Sequence, residues 1–310
     1  MRCVAAIAVS LVWGLCAAAI AAPVAVPNGS FESPTTDFVN INIDNWQKNE
    51  KPAWYVEGGG YLWSQLTGLF MNTPAGSDDH IDNMDGDQAM WLFAVPEVEL
   101  FQDHESTDWA HAAPLHAFDA VYQVGHVYQL VVGVIGGGGG MPDGATLELS
   151  LYYREAGGAP VTIASTVVTQ GIEQFPSTNH FEDQAVSLPA VRAGDAWAGR
   201  HIGIRFRSTV TPALQGGYWD IDHVRLVGIP QPALTLTREG PAVRASWTTV
   251  TGFHYQLEGC TDPAGEPEAA GWAGVGAARP GTGLPMSEAM PVAAAPRRFF
   301  RVKVLFPPGQ

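Results

Sequence analysis

Apolar and polar residues alternate with period two through the middle of the chain. In HIGIRFRS, Ile202, Ile204 and Phe206 fall on one face, while His201, Gly203, Arg205 and Arg207 take the other. In ATLELSLYY, Leu147, Leu149 and Leu151 oppose Thr146, Glu148 and Ser150, and in HVYQLVVGV, Tyr128, Leu130, Val132 and Val134 share a side. Successive side chains of a pleated strand point to opposite faces, so each run predicts a half-buried strand bounded by Gly- and Pro-rich turns. The segments QAMWLFA, VELFQ, VTIASTVV, FEDQAVSL and YWDIDHVRLVG are further strand candidates. No apolar pattern of period 3.6 persists for three turns. Many strands at short spacing predict an all-β chain, an antiparallel jelly-roll β-sandwich.

The alternation breaks once in a telling way. In YWDIDHVRL, Trp219 and Ile221 share one phase and Val224 and Leu226 the other, so a bulge is predicted at Asp222-His223. Further on, Ile229-Pro230-Gln231-Pro232 interrupts the strands, and residues 230–232 read as a stiff linker. Beyond it, residues 233–310 predict a smaller β-sandwich whose core is Trp247, Tyr255, Trp272 and Phe300. The run Gly136 to Gly140 lacks the Lys-Ser/Thr of a phosphate loop and reads as a hairpin connection.

The first 21 residues change the compartment. Arg2, an unbroken apolar run and Ala19-Ile20-Ala21 form the three-part pattern of a secretory signal peptide cut near Ala21. The main domain is then 22–229, and the protein is expected to be secreted, periplasmic or on the cell surface. Cleavage removes Cys3 and Cys16 and leaves Cys260, so no intramolecular disulfide can form and a packed core or a bound metal must supply the stability. No second apolar run is long enough to cross a bilayer, so membrane insertion is not expected. With 16 Lys/Arg against 31 Asp/Glu, the chain carries a net charge of −15. Such a charge repels nucleic acid and anionic membranes and leaves cations and neutral partners open.

Candidate chemistry is sparse. The stretch GSDDHIDNMDGDQ is acidic, but an EF-hand register from Gly86 puts Ile81, Asn83 and Asp85 where three acids belong, and a loop of solvated acids is expected. His104, His111 and His116 share one connection with Asp103, Glu105 and Asp108, at spacings that match no standard zinc site. There is no G-x-S-x-G elbow, and no acid pair stands in an apolar setting that would mark an acid and a base. Cys260 has no activating partner in the sequence and reads as a packed residue. Aromatics are the better signal. AWYVEGGGYLWSQ sets Trp54, Tyr55, Tyr61 and Trp63 around a glycine turn, where flat rings suit the apolar face of a sugar. Arg205, Arg207, Glu148 and Tyr152, on the outward strand phase, form an alternative binding surface.

NGSFESP near the mature start, Trp46, MDGDQAMWLF and YWDIDHVRL, in that order, resemble the galactose-binding-like jelly roll of carbohydrate-binding modules over residues 26 to 229. SWTTVTGFHYQLEGCTDPAG, Trp272 and RRFFRVKV resemble a small β-sandwich at the C-terminal end of bacterial exported proteins. The first resemblance implies a non-catalytic module binding a polysaccharide or other glycan. A structural or adhesive envelope protein is the alternative, and a secreted glycoside hydrolase comes third. It also implies one structural calcium ion shared by the acid of the FE pair and the acid of the closing I-D-x-V segment, here Glu32 and Asp222, with oxygens from Asn28 or Ser30. His223 stands where that family usually has Asp or Asn.

Overall fold

The computed structural model describes residues 22–58, 60–111, 113–261, 271–291 and 299–306, so the leader lies outside the described residues. Backbone packing divides them into two compact units, one built on residues 22–231 and the other on 232–305. The larger unit carries β1 (Ala22–Val24), β2 (Val39–Asn40), β3 (Gln47–Lys48), β4 (Thr67–Met71), β5 (Gln88–Phe93) and β6 (Glu99–Gln102). It continues with β7 (His126–Gly138), β8 (Thr146–Arg154), β9 (Pro160–Thr169), β10 (Glu182–Leu188), β11 (Gly203–Ser208) and β12 (Tyr218–Pro230). Among the described residues the helical element is one short 3-10 turn, Trp63–Gln65.

Two antiparallel sheets form a jelly-roll β-sandwich, as the alternation predicts. One runs β10-β7-β12-β5-β4-β2, with β1 added to β12; the other runs β3-β6-β11-β8-β9. The predicted apolar phases meet between them: Leu130, Val132 and Val134 of β7, Leu147, Leu149 and Leu151 of β8, and Ile204 and Phe206 of β11 all lie in one buried cluster. Each such side chain contributes roughly 1.5–3 kcal/mol by leaving water. Trp46 joins the layers, its ring 5.4 Å from Phe31 and 5.3 Å from Phe206.

Phe31 is fully buried, and that anchors the N-terminal segment. Its carbonyl accepts from Gln88 Nε2, the Asn28 carbonyl accepts from Trp46 Nε1, and the Gly29 carbonyl accepts from Val224 N–H. The segment is thereby laced to β12 and β5.

The predicted bulge is present. Between Asp222 and Arg225, β12 advances one residue more than β7, and His223 takes a positive φ of 54°. A second register shift lies between Tyr218 and Asp220. There the glycine run departs from expectation, because Gly136, Gly137 and Gly138 belong to β7 rather than to a loose connection. The reason is steric: a Cβ on Gly138 would sit 2.5 Å from the Tyr218 ring. Only glycine lets the two strands close up here.

The outward faces are also furnished. On the seven-stranded sheet, Ile81, Ala89, Ile135 and Phe181 form a second buried cluster with Phe70 and Met84 against it. On the five-stranded sheet, Arg205 lies 3.3 Å from Glu148, and Arg207 lies 3.1 Å from Glu99. Tyr152, which the alternation turns toward solvent, is buried, with its hydroxyl donating to Asp103 Oδ2. Its burial and the pairing of both arginines make this face a braced exterior rather than an open binding surface.

In the smaller unit, β13 (Leu234–Glu239), β14 (Ala242–Trp247) and β18 (Met286–Pro291) form one sheet. The strands β15 (His254–Cys260), β16 (Ala273–Gly274), β17 (Arg279–Pro280) and β19 (Phe299–Leu305) form the other. Trp247, Tyr255 and Cys260 are buried as expected, whereas Trp272 and Phe300 are half-exposed. The guanidinium of Arg301 covers the Trp272 ring at 4.6 Å.

Candidate functional site

Asp220 is the unusual group. On β12 it alternates with Trp219 and Ile221 of the core, so it projects from the outer face of the seven-stranded sheet. Its cross-strand neighbours are Trp91 of β5 and Ile135 of β7. Chain that folds back over this face, carrying Ile81 and Phe181, encloses the region, and Asp220 is only 9 % exposed. Its Oδ1 is buried without a hydrogen-bond partner. Burial pushes its carboxyl up to about 8, so the acid is held protonated at neutral pH.

Beside it stands a row of aromatic rings. Tyr218, two residues earlier on the same face, lies 5.9 Å from Phe93, which lies 4.9 Å from Tyr61. Trp91 is laid flat over β4 because residue 68 is glycine: a Cβ there would meet the indole at 2.4 Å. The Trp91 indole N–H donates to the Gln65 carbonyl. A neutral carboxylic acid at the end of an aromatic wall can protonate an electron-rich, apolar molecule. The rings' negative faces can then stabilise the cation that results.

A second acidic feature lies along the same strand. Asp222 is fully buried; its Oδ2 accepts from Asp85 N–H at 2.7 Å, and its Oδ1 has no partner. Burial raises its carboxyl to about 8, opposed by the N–H groups of Asp85 and His223 and reinforced by the negative charges of Asp85 and Glu32. Glu32 reaches the same loop from the other side, where its Oε1 accepts from Asp87 N–H at 2.9 Å and Gln88 N–H at 2.8 Å. The acidic stretch thus offers backbone N–H groups to both carboxylates. Positive φ at Asn28 (51°), Phe31 (57°) and His223 (54°) gathers backbone strain around this point. Asn28 is committed to bracing: its amide donates to the carbonyls of Ser33 and Asp44, and its own carbonyl accepts from Trp46 and Phe31. Ser30 stands in the same turn, between Gly29 and the buried Phe31.

The four aromatic residues singled out in the sequence divide. Trp63 is buried, with its indole N–H donating to the Asn49 carbonyl at 3.0 Å. Tyr55 is half-buried and packs edge-on to Trp63 at 5.0 Å, while Trp54 and Tyr61 are exposed. Only Tyr61 reaches the row beside Asp220. A cleft of about 260 Å³ lies elsewhere, lined by Ile43, Trp46, Lys48, Thr107 and Trp109. Burial lowers Lys48 to about 8, but its ammonium donates to the carbonyls of Ile41, Ser64 and Thr67, which leaves no free lone pair for chemistry.

Sequence reasoning missed Asp220 and Trp91. Their phase in the alternation is the solvent phase, and the burial comes from segments distant in sequence.

Comparison with known proteins supplies the family. A model of the HpiC1-like family (HpiC1 cyclase) matches residues 22–227. Among solved structures, a cyclase from Fischerella sp. TAU is 20 % identical, covering 68 % of this chain and 98 % of its own, with a TM-score of 0.49. The Stig cyclase Fisc from the same organism, in complex with (3Z)-3-(1-methyl-2-pyrrolidinylidene)-3H-indole, is also 20 % identical over 68 % and 98 %, with a TM-score of 0.47. The CBM22-1 xylan-binding domain of Paenibacillus barcinonensis Xyn10C is 12 % identical over 69 % and 99 %, with a TM-score of 0.35. No curated protein sequence matches significantly.

The family match overturns the expectation of a non-catalytic carbohydrate-binding module with a polysaccharide partner. It equally displaces the adhesive and glycoside-hydrolase alternatives. A jelly roll does not specify function, and rings beside a glycine turn suit any flat apolar ligand as well as a sugar. Matched over two thirds of its length, the chain belongs to the HpiC1-like family of cyclases.

Proposed function

We propose that the chain is an enzyme that cyclises a small, electron-rich aromatic molecule carrying an unsaturated side chain, with Asp220 as the proton donor. The observation that carries this reading is the buried carboxyl of Asp220, its Oδ1 without a hydrogen-bond partner, beside the aromatic row Tyr61–Phe93–Tyr218. The acid gives its proton to a carbon of the substrate's π system. A second carbon becomes cationic, and a neighbouring double bond attacks it to form the new C–C bond. The cyclised cation then loses a proton to the Asp220 carboxylate, which gives the neutral product and restores the acid, so substrate and product are isomers. Burial keeps Asp220 protonated, the rings stabilise the cation, and enclosure keeps water from capturing it.

Glu32 and Asp222 fit a calcium ion: two carboxylates converge on one loop, and a buried Asp222 oxygen is left without a partner. In this proposal both hold the ion, with backbone oxygens and water completing six to eight ligands. Its role is to neutralise the paired acids and pin the N-terminal segment to β12. Export after cleavage near Ala21 is part of the same proposal, supported by the leader pattern.

The test is turnover on a panel of indoles and phenols bearing alkenyl side chains, read by chromatography and mass spectrometry as new isomers of unchanged mass. The parent protein is expected to convert at least one member, and Asp220→Asn to lose the activity. No conversion across the panel, or unchanged conversion by Asp220→Asn, overturns the reading.

A further inference from the structure

Three imidazoles from distant parts of the chain stack into one column. His104 lies 3.9 Å from His201, with rings 6° from parallel, and 4.1 Å from His116, at 24°. Asp119 stands at their edge: its Oδ1 is 3.5 Å from His104 Nδ1 and 3.0 Å from His201 Nε2. We propose that His104, Asp119 and His201 form a binding site for a zinc-type divalent transition metal.

Several observations support the site. Donors bound at 2.0–2.1 Å to a tetrahedral metal stand about 3.3 Å apart, and the two measured separations straddle that value. His104 Nδ1 is buried with no hydrogen-bond partner and faces Asp119 Oδ1 at 3.5 Å. His116 Nδ1 contacts the His104 carbonyl at 2.8 Å, which holds its ring against His104.

The backbone holding the donors is itself braced. Val121 pairs with His201, Tyr122 N–H donates to the Arg200 carbonyl, and Ile202 N–H donates to the Ala120 carbonyl. The connection between β6 and β7, which carries His104, His116 and Asp119, contains no named strand among the described residues. A metal there would clip it to the start of β11 in a chain whose described cysteine, Cys260, has no partner for a disulfide. Two imidazoles and a carboxylate select a borderline metal such as Zn²⁺ over calcium, which takes oxygen ligands. Parallel rings cannot both aim in-plane lone pairs at one ion, so capture requires a rotation about χ2 of His201, which is half-exposed.

The experiment is calorimetric titration of the full chain with ZnCl₂ after chelation, in buffer containing excess calcium so that hard-cation sites are filled. One saturable equivalent of zinc is expected. His104→Ala and His201→Ala are expected to weaken binding by at least about tenfold, a loss no smaller than removing a supporting group costs. His111→Ala, whose ring pairs with Asp108 instead, should bind like the parent. Co²⁺ in place of zinc should give the intense visible absorption of a tetrahedral site, and Asp119→Asn should reduce it. Absence of saturable zinc binding, a pale octahedral cobalt spectrum, or parent-like binding by both histidine variants would overturn the assignment.

Discussion

Glu32→Gln, examined by thermal melting with calcium and with chelator, isolates the proposed cation site. The substitution keeps an oxygen that can still accept from Asp87 and Gln88 N–H and removes one negative charge from beside Asp222. The metal-free stability should therefore change by less than about 1 kcal/mol, the scale of one net hydrogen bond. In the parent, calcium at a hundredfold excess over its dissociation constant adds about 2.7 kcal/mol by mass action. For a unit of this size each kcal/mol moves the midpoint by about 2–4 °C, so the expected rise is about 5–11 °C. Glu32→Gln should lose most of that rise, and so should Gly86→Ala, because a Cβ there would meet Glu32 Oε1 at 2.4 Å in a backbone with φ +103°. Asp79→Asn, exposed in the same loop, should keep it. Equal parental midpoints in calcium and chelator, or a full calcium gain in Glu32→Gln, would refute the reasoning.

Trp63→Ala should cost about 3–5 kcal/mol in chemical denaturation, because it empties a buried site and strands the Asn49 carbonyl, whereas exposed Trp54→Ala should cost less than about 1 kcal/mol. Tyr152→Phe removes the hydroxyl donor from buried Asp103 and is expected to cost about 1–3 kcal/mol in the same assay. Gly138→Ala should displace the Tyr218 ring, lowering conversion of any accepted substrate more than it lowers the melting temperature.

What the sequence disclosed follows the range of the forces involved. Alternation is local, so the buried phases of β7, β8 and β11 and the slip at Asp222-His223 could all be read from neighbouring residues. Closure of the outer faces is not local. Asp220 and Tyr152 occupy solvent phases, yet chain far away in sequence buries both. The glycine run misled for a related reason, since the Tyr218 ring that demands glycine at 138 lies on another strand. His201 was likewise invisible as a partner of His104, because the turn of chain that brings them together is a property of the fold. Function was hardest, since the jelly-roll features that suggested a sugar module belong equally to a cyclase.

The most direct test of Asp220 as the acid is cyclisation run in D₂O, with the product mass measured in a single turnover of the parent protein. An acid that exchanges with solvent and then protonates carbon delivers one deuterium while the product loses one proton, so the cyclised product should be one mass unit heavier than the substrate. A cyclised product with no deuterium at carbon would contradict proton donation from Asp220.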